Sequence, residues 1–264
     1  MKQHPTAIID PKAEIDDDVV IGPYVIISGE VHIASGTEVM AHAHISGHTE
    51  IGRDNRIHMG AVVGHIPQHL GYKSCLSYTR IGERNIIREY VTIHRSWKEG
   101  QATVIGDDNC FMAMSHVAHD CVVGNQVILA NGVLLGGHVE IHDGAFLSGN
   151  AVFHQFVRVG RLAMVSGLGG IGKDVPPYCI AAGRTQVSGV NVVGLRRAGL
   201  SREVRAEIQK AFKILYRSGL TTSHALEEIE EMNPCQEVRH FVDFIRNSKR
   251  GICGPAKSIS LKDA

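Results

Sequence analysis

Neither sign of charge prevails in this chain: 27 Lys and Arg stand against 27 Asp and Glu in 264 residues. A general nucleic-acid binder would carry a basic excess, so that class is excluded. Aromatic residues are only 5% of the chain, with a single tryptophan, too few for a base-stacking platform. Proline is scarce at 8, so the 29 glycines are not those of a disordered Pro/Gly segment. The six cysteines form no CxxC pair, and the opening MKQHPTAIID has no apolar leader. Reduced thiols and a cytoplasmic location are therefore expected. The longest uncharged stretch, Cys121–Val139, matches a membrane span in length. Gly124, Asn125, Gln126, Asn131, Gly132, Gly136 and Gly137 interrupt it, and a lipid-facing helix would not accept that density of polar residues.

What is present is a repeat of six. Ile9, Ile15, Ile21 and every sixth residue to Val63, then Ile81, Ile87 and Ile93, then Ile105 and every sixth residue to Ile171 are all Ile, Val, Leu or Phe. The two breaks, 18 and 12 residues between apolar positions, are multiples of six, so one phase runs throughout. Neither a helical period of 3.6 nor a strand period of 2 produces this pattern. Hexapeptides closing a three-sided coil do: one side chain per six points inward, and three hexads make an 18-residue turn. Such turns stack at strand spacing, roughly 4.8 Å, and share a core no single repeat can build. Small residues often sit four places on (Thr37, Ala43, Ala61, Ala145, Ala163), and glycine often follows the apolar residue. An all-β solenoid over residues 1–189 is expected, with loop insertions at 64–80 and 94–104, followed by a helical unit over 190–264. In the latter, Ser201 is placed to cap a helix carrying Val204, Ile208, Phe212 and Leu215, ending near Gly219. Thr222 or Ser223 opens a second helix, a third follows Pro234, and 251–264 reads as a loose tail. Residues 191–264 hold 13 basic and 9 acidic residues, and Arg196, Arg197, Arg202, Arg205, Lys210 and Lys213 crowd their start. That is either a solvated helix face or a dock for an acidic partner.

The 18-residue turn also turns spacing into proximity. His119, Gly137 and Gln155 should stack on successive turns, with Asp120, His138 and Phe156 in the next column. His116 and His154 flank them, so His116, His119, Asp120, His138 and His154 are expected on one side within ~10 Å. Two chemistries use such a group. Imidazoles bind zinc, as in the left-handed prisms of gamma-class carbonic anhydrases. Alternatively, a histidine acts as general base, a carboxylate fixes its tautomer, and a glycine amide receives a developing oxyanion. Consecutive residues of a strand point opposite ways, so Asp120 reaches His119 only if the pair lies at a corner of the coil.

The run SHVAHDCVVGNQVILANGVLLGGHV, with AVFHQFVRVG, DVPPY, GVNVVGLRRAGLSREV, IREYVTIHR and GAVVGHIPQ, resembles the acyl-ACP–UDP-N-acetylglucosamine O-acyltransferases that open lipid A biosynthesis. The resemblance covers residues 5–250. It implies a left-handed parallel β-helix with a C-terminal α-helical domain, assembled as a homotrimer with sites between subunits. It implies transfer of a 3-hydroxyacyl chain from acyl carrier protein to the glucosamine 3-position of UDP-N-acetylglucosamine, with no cofactor. His119 would be the base, Asp120 its orienting partner and Gly137 the oxyanion donor. His116, His138, His154, Gln155 and Gln68 would line the substrate cleft, and Asn191 and Arg197 would hold the nucleotide. Gly149 and Gly167 would bound the acyl chain, and the basic helical start would meet acidic acyl carrier protein. The sequence departs from the family at His69 and Gly71, where Asp and Lys are usual (Lys73 is a substitute), and at Val193 and Ala198, where Glu and Arg are usual. These positions leave a 3-amino or other UDP-sugar as alternative acceptor.

Overall fold

The computed structural model describes residues 2–256. It is a three-sided coil, a left-handed parallel β-helix, that ends in a small helical unit. Each turn contributes one strand of two to four residues to each of three parallel sheets. The first face begins at Lys2–Gln3, the second at Ile8–Ile9 and the third at Glu14–Ile15. The coil thus starts at residue 2, since Lys2 and Gln3 pair with Val20 and Ile21. Register holds at 18 residues where no loop intervenes, as in Leu134↔Val152 and Val122↔Glu140.

The period-six residues are the reason. Apart from Ile9 and Ile15 in the first turns, all of them are buried in one continuous core. Burial of an Ile or Val side chain contributes about 1.5–3 kcal/mol, and the stack repeats it at every hexad. The small positions four residues on are buried too, and several are polar. There Thr37 Oγ1 accepts from Asn55 N–H, Asn55 Oδ1 from Asn85 N–H, Asn85 Oδ1 from Asn109 N–H and Asn109 Oδ1 from Val127 N–H, at 2.7–3.2 Å. This ladder supplies acceptors to corner amides that the sheets leave unpaired.

The second face extends to His65 before the first loop, and the third face resumes at Tyr78–Ile81 and Ala102–Ile105. Where the hexads fade, the chain makes an antiparallel hairpin, Cys179–Ala182 with Gln186–Val190, on the end of the first sheet. Four helices follow: α1 (Val192–Arg197), α2 (Arg202–Arg217), α3 (Thr222–Glu231) and α4 (Gln236–Arg246). Ser201 caps α2 by accepting from Val204 N–H, and Thr221, one residue before the expected start, caps α3. The expected loose tail is corrected in part. Gly254–Pro255 adds a strand beside Gln186–Val187, Cys253 is buried, and Tyr216 donates to Cys253 O at 2.9 Å. Its remainder, 257–264, lies outside the described residues. No helix among the described residues is long and apolar enough to cross a membrane.

Candidate active site

The corner between the second and third faces brings His119 and Asp120 together. His116–Val117 is a second-face strand and Val122–Val123 a third-face strand, so residues 118–121 make the turn. Asp120 adopts φ +59, the left-handed conformation that folds its side chain back beside His119. His138 and Phe156 repeat that conformation one and two turns on, and their rings stack at 4.6 Å.

His119 Nδ1 lies 2.8 Å from Asp120 Oδ2, and both side chains are almost wholly buried. Burial disfavours the Asp120 carboxylate, but donors from His119, Ser96 and Trp97 outweigh it and hold the carboxyl below its usual range. An ionised Asp120 only accepts, so the imidazole proton sits on Nδ1 and the Nε2 lone pair faces outward. Gly137 lies against that edge: a Cβ built on it would stand 2.7 Å from His119 Nε2. Its own N–H donates to no group among the described residues, because the flanking bonds run from Gly136 N–H to Phe153 O and from His138 N–H to His119 O.

A cavity of about 290 Å³ opens on this edge, lined by Gln68, His116, His119, Gly137 and Gln155 with apolar Leu134 and Val152. His116 Nδ1 pairs with Thr92 Oγ1 at 2.7 Å, and burial lowers its pKa. Asp120 and His138 instead border a second cavity, of about 450 Å³, on the third-face side of the corner, with Arg158, Lys249 and Arg250. His154, expected beside them, turns away. It is exposed, accepts from Arg250 Nη2 at 3.3 Å, and lines an adjoining groove with Val152, Gly170 and Arg184. Asn191 and Arg197 border neither cavity. Asn191 is engaged as the cap of α1, accepting from Gly194 N–H at 3.0 Å and donating to Leu162 O at 2.9 Å, while Arg197 is exposed. Gly149 and Gly167 stack on each other at the opposite corner, between the first and second faces. His119, Asp120 and His138 each bring one potential metal-ligand atom within 4.8 Å of the others, and His119 and Asp120 already share a hydrogen bond.

Sequence reasoning missed three neighbours. Ser96 donates to Asp120 Oδ1 at 2.5 Å, Trp97 N–H donates to Asp120 Oδ2 at 3.4 Å, and His69 packs between Trp97 and His119 with ring centroids 4.2 and 5.4 Å away. A signal existed. Thr92 pairs with His116 at an offset of 24, one turn plus a six-residue insertion, and the same offset sets Ser96 beside Asp120.

The family model for bacterial transferase hexapeptide repeats matches residues 102–137, and that for UDP-N-acetylglucosamine O-acyltransferase, domain 2, matches 174–253. The chain is 47% identical over 253 residues to acyl-[acyl-carrier-protein]–UDP-N-acetylglucosamine O-acyltransferase of Thermodesulfovibrio yellowstonii, covering 95% of this chain and 98% of that one. Among solved structures, UDP-N-acetylglucosamine acyltransferase from Bacteroides fragilis superposes with a TM-score of 0.91 at 44% identity, over 94% of this chain and 98% of that one. The Francisella novicida UDP-N-acetylglucosamine acyltransferase superposes with a TM-score of 0.91 at 38% identity, over 98% and 99% of the two chains.

Proposed function

The chain belongs to the acyl-[acyl-carrier-protein]–UDP-N-acetylglucosamine O-acyltransferase family, and from that premise we propose how it works. It is an acyltransferase that moves an acyl chain from acyl carrier protein to UDP-N-acetylglucosamine. The acyl group is a 3-hydroxyacyl chain, the acceptor is the glucosamine 3-hydroxyl, and the product enters lipid A biosynthesis. His119 Nε2 takes the proton from that hydroxyl as its oxygen attacks the thioester carbonyl. Asp120 holds the Nδ1 proton and stabilises the imidazolium. The carbonyl oxygen becomes an oxyanion beside the Gly137 N–H. Collapse of the intermediate breaks the C–S bond, and the imidazolium returns its proton to the leaving thiolate. One observation carries this reading: a buried His119–Asp120 pair with its free nitrogen turned to an unpaired glycine amide at the mouth of a cavity.

His116, Gln68 and Gln155 contact the acceptor in that cavity. His138 meets the substrate from the third-face side of the corner and His154 from the adjoining groove, Asn191 and Arg197 hold the nucleotide, and Gly149 and Gly167 bound the acyl chain. Asn191 and Arg197 lie away from His119 in one chain, which supports a homotrimer whose neighbouring subunits complete each site. The exposed arginines and lysines of α1 and α2 dock acidic acyl carrier protein, and the enzyme works in the cytoplasm as a coil (1–189) bearing a helical unit (190–264). The relatives' names favour neither a 3-amino acceptor nor zinc-dependent hydration. The test is an assay of purified protein with acyl carrier proteins of several chain lengths against UDP-N-acetylglucosamine and its 3-amino analogue. His119→Ala should abolish transfer and leave the coil folded; a variant with only mildly reduced rate overturns the base assignment.

A further inference from the structure

We propose that Ser96 is a positioning residue, whose hydroxyl fixes the Asp120 carboxylate so that it orients His119 and not His138; the inference rests on reading His119 as the base. Asp120 lies between two imidazoles. His119 Nδ1 is 2.8 Å from Oδ2, and His138 Nε2 is 3.8 Å from the same oxygen. A modest rotation of the carboxylate would exchange one partner for the other. Apart from these two imidazoles, the coil ties Asp120 only through its backbone, whose N–H donates to Thr103 Oγ1 at 2.8 Å.

The second loop opposes that rotation. Ser96 is fully buried, and its Oγ stands 2.5 Å from Asp120 Oδ1, the oxygen that His119 does not use. Lys98 O lies 3.2 Å from the same hydroxyl, but the carboxylate is nearer and charged, so the single hydroxyl proton goes to it. Lys98 N–H donates to Ser96 Oγ at 3.0 Å, polarising the hydroxyl toward the carboxylate. Ser96 is itself held in place, since its carbonyl accepts from Ser77 Oγ at 2.7 Å. With Trp97 N–H on Oδ2, the oxygen that also faces His119, residues 96–98 hold both oxygens of the carboxylate. Both carboxylate oxygens are then engaged in the orientation that serves His119.

Ser96 touches no reacting atom, so its removal should alter the rate at saturation and not substrate binding. In Ser96→Ala, kcat should fall about tenfold or more, the loss expected for one charge-assisted hydrogen bond, with KM for both substrates within about twofold of wild type. A second measurement needs no turnover. The hydrogen-bonded His119 Nδ1 proton, identified in histidine-labelled protein by its disappearance in His119→Ala, should give a downfield resonance that moves upfield and broadens in Ser96→Ala. An unchanged resonance with kcat near wild type overturns the proposal, as does a rise in KM alone or a lower thermal midpoint with kcat retained. If the wild-type protein transfers no acyl group, the function proposed above fails, and the resonance comparison still decides whether Ser96 sets the Asp120–His119 pair.

Discussion

Gly137 packs against the Cε1–Nε2 edge of the His119 ring, leaving no room there for a methyl group. The close approach comes from stacking, because the two residues are one turn apart in the same column. In Gly137→Ala the new Cβ meets the His119 ring, and the ring must give way, since the backbone belongs to the ladder. A displacement of about 1 Å in a reacting group costs on the order of 10²-fold in rate. Steady-state kinetics should show that loss in Gly137→Ala with a thermal midpoint close to wild type; a fully active variant would show that His119 needs no glycine beside it.

His94 gives a pH dependence of stability. It is buried beside His65, His116 and His119, its Nδ1 has no partner among the described residues, and burial first and those neighbours second push its pKa down to about 4. The folded chain therefore keeps His94 neutral, while the unfolded chain protonates it below its ordinary value of 6.5. Its contribution is fully present above 6.5 and is lost as pH falls toward about 4. Burial shifts His116 the same way. Urea midpoints should fall more steeply between those limits for wild type than for His94→Gln, and parallel slopes would remove His94 from the account.

The coil was legible because its signal is redundant: any single turn would have been ambiguous, but the period-six residues share one phase across both breaks and bury as that phase requires. The His119–Asp120 corner followed from the same arithmetic. Contacts made by the loops did not. Ser96 was within reach only once the six-residue insertion is added to the turn, while Trp97 and His69 reach the dyad through segments with no period, where position depends on side-chain packing. The hairpin at Cys179–Ala182 was missed because its strands follow no hexad. The Gly254–Pro255 strand was missed because two residues ending in proline carry no strand signal of their own.

Asn191 and Arg197 were read together as nucleotide contacts, and in the structure Asn191 also serves the fold. Asn191 is an N-cap and a tie to Leu162 of the coil, so Asn191→Ala should cost about 1–2 kcal/mol of stability in denaturant unfolding. Arg197 is exposed on the last turn of α1 with no salt-bridge partner among the described residues. Arg197→Ala should leave stability unchanged and raise KM for UDP-N-acetylglucosamine several-fold at nearly constant kcat. If the two variants show the opposite pattern, the cap is dispensable and the nucleotide contact belongs to Asn191.

Gly167 tests the acyl-chain boundary. Its backbone lies outside the left-handed region, and a Cβ there would meet Gly149 O at 3.3 Å, so a side chain is admitted if that carbonyl gives by a few tenths of an ångström. The second face between this corner and His119 presents exposed Leu134 and Val152, an apolar path from the cavity toward Gly167. In Gly167→Met the thioether would project over the end of that path and occupy space used by the terminal carbons of a long chain. Competition among acyl carrier proteins of graded chain length should then shift the preferred donor several carbons shorter, with the rate on the shorter donor close to that of wild type on its own. An unchanged preference would move the boundary off this column, and a uniform loss on all donors would mean that the substitution disturbs the coil and not the ruler.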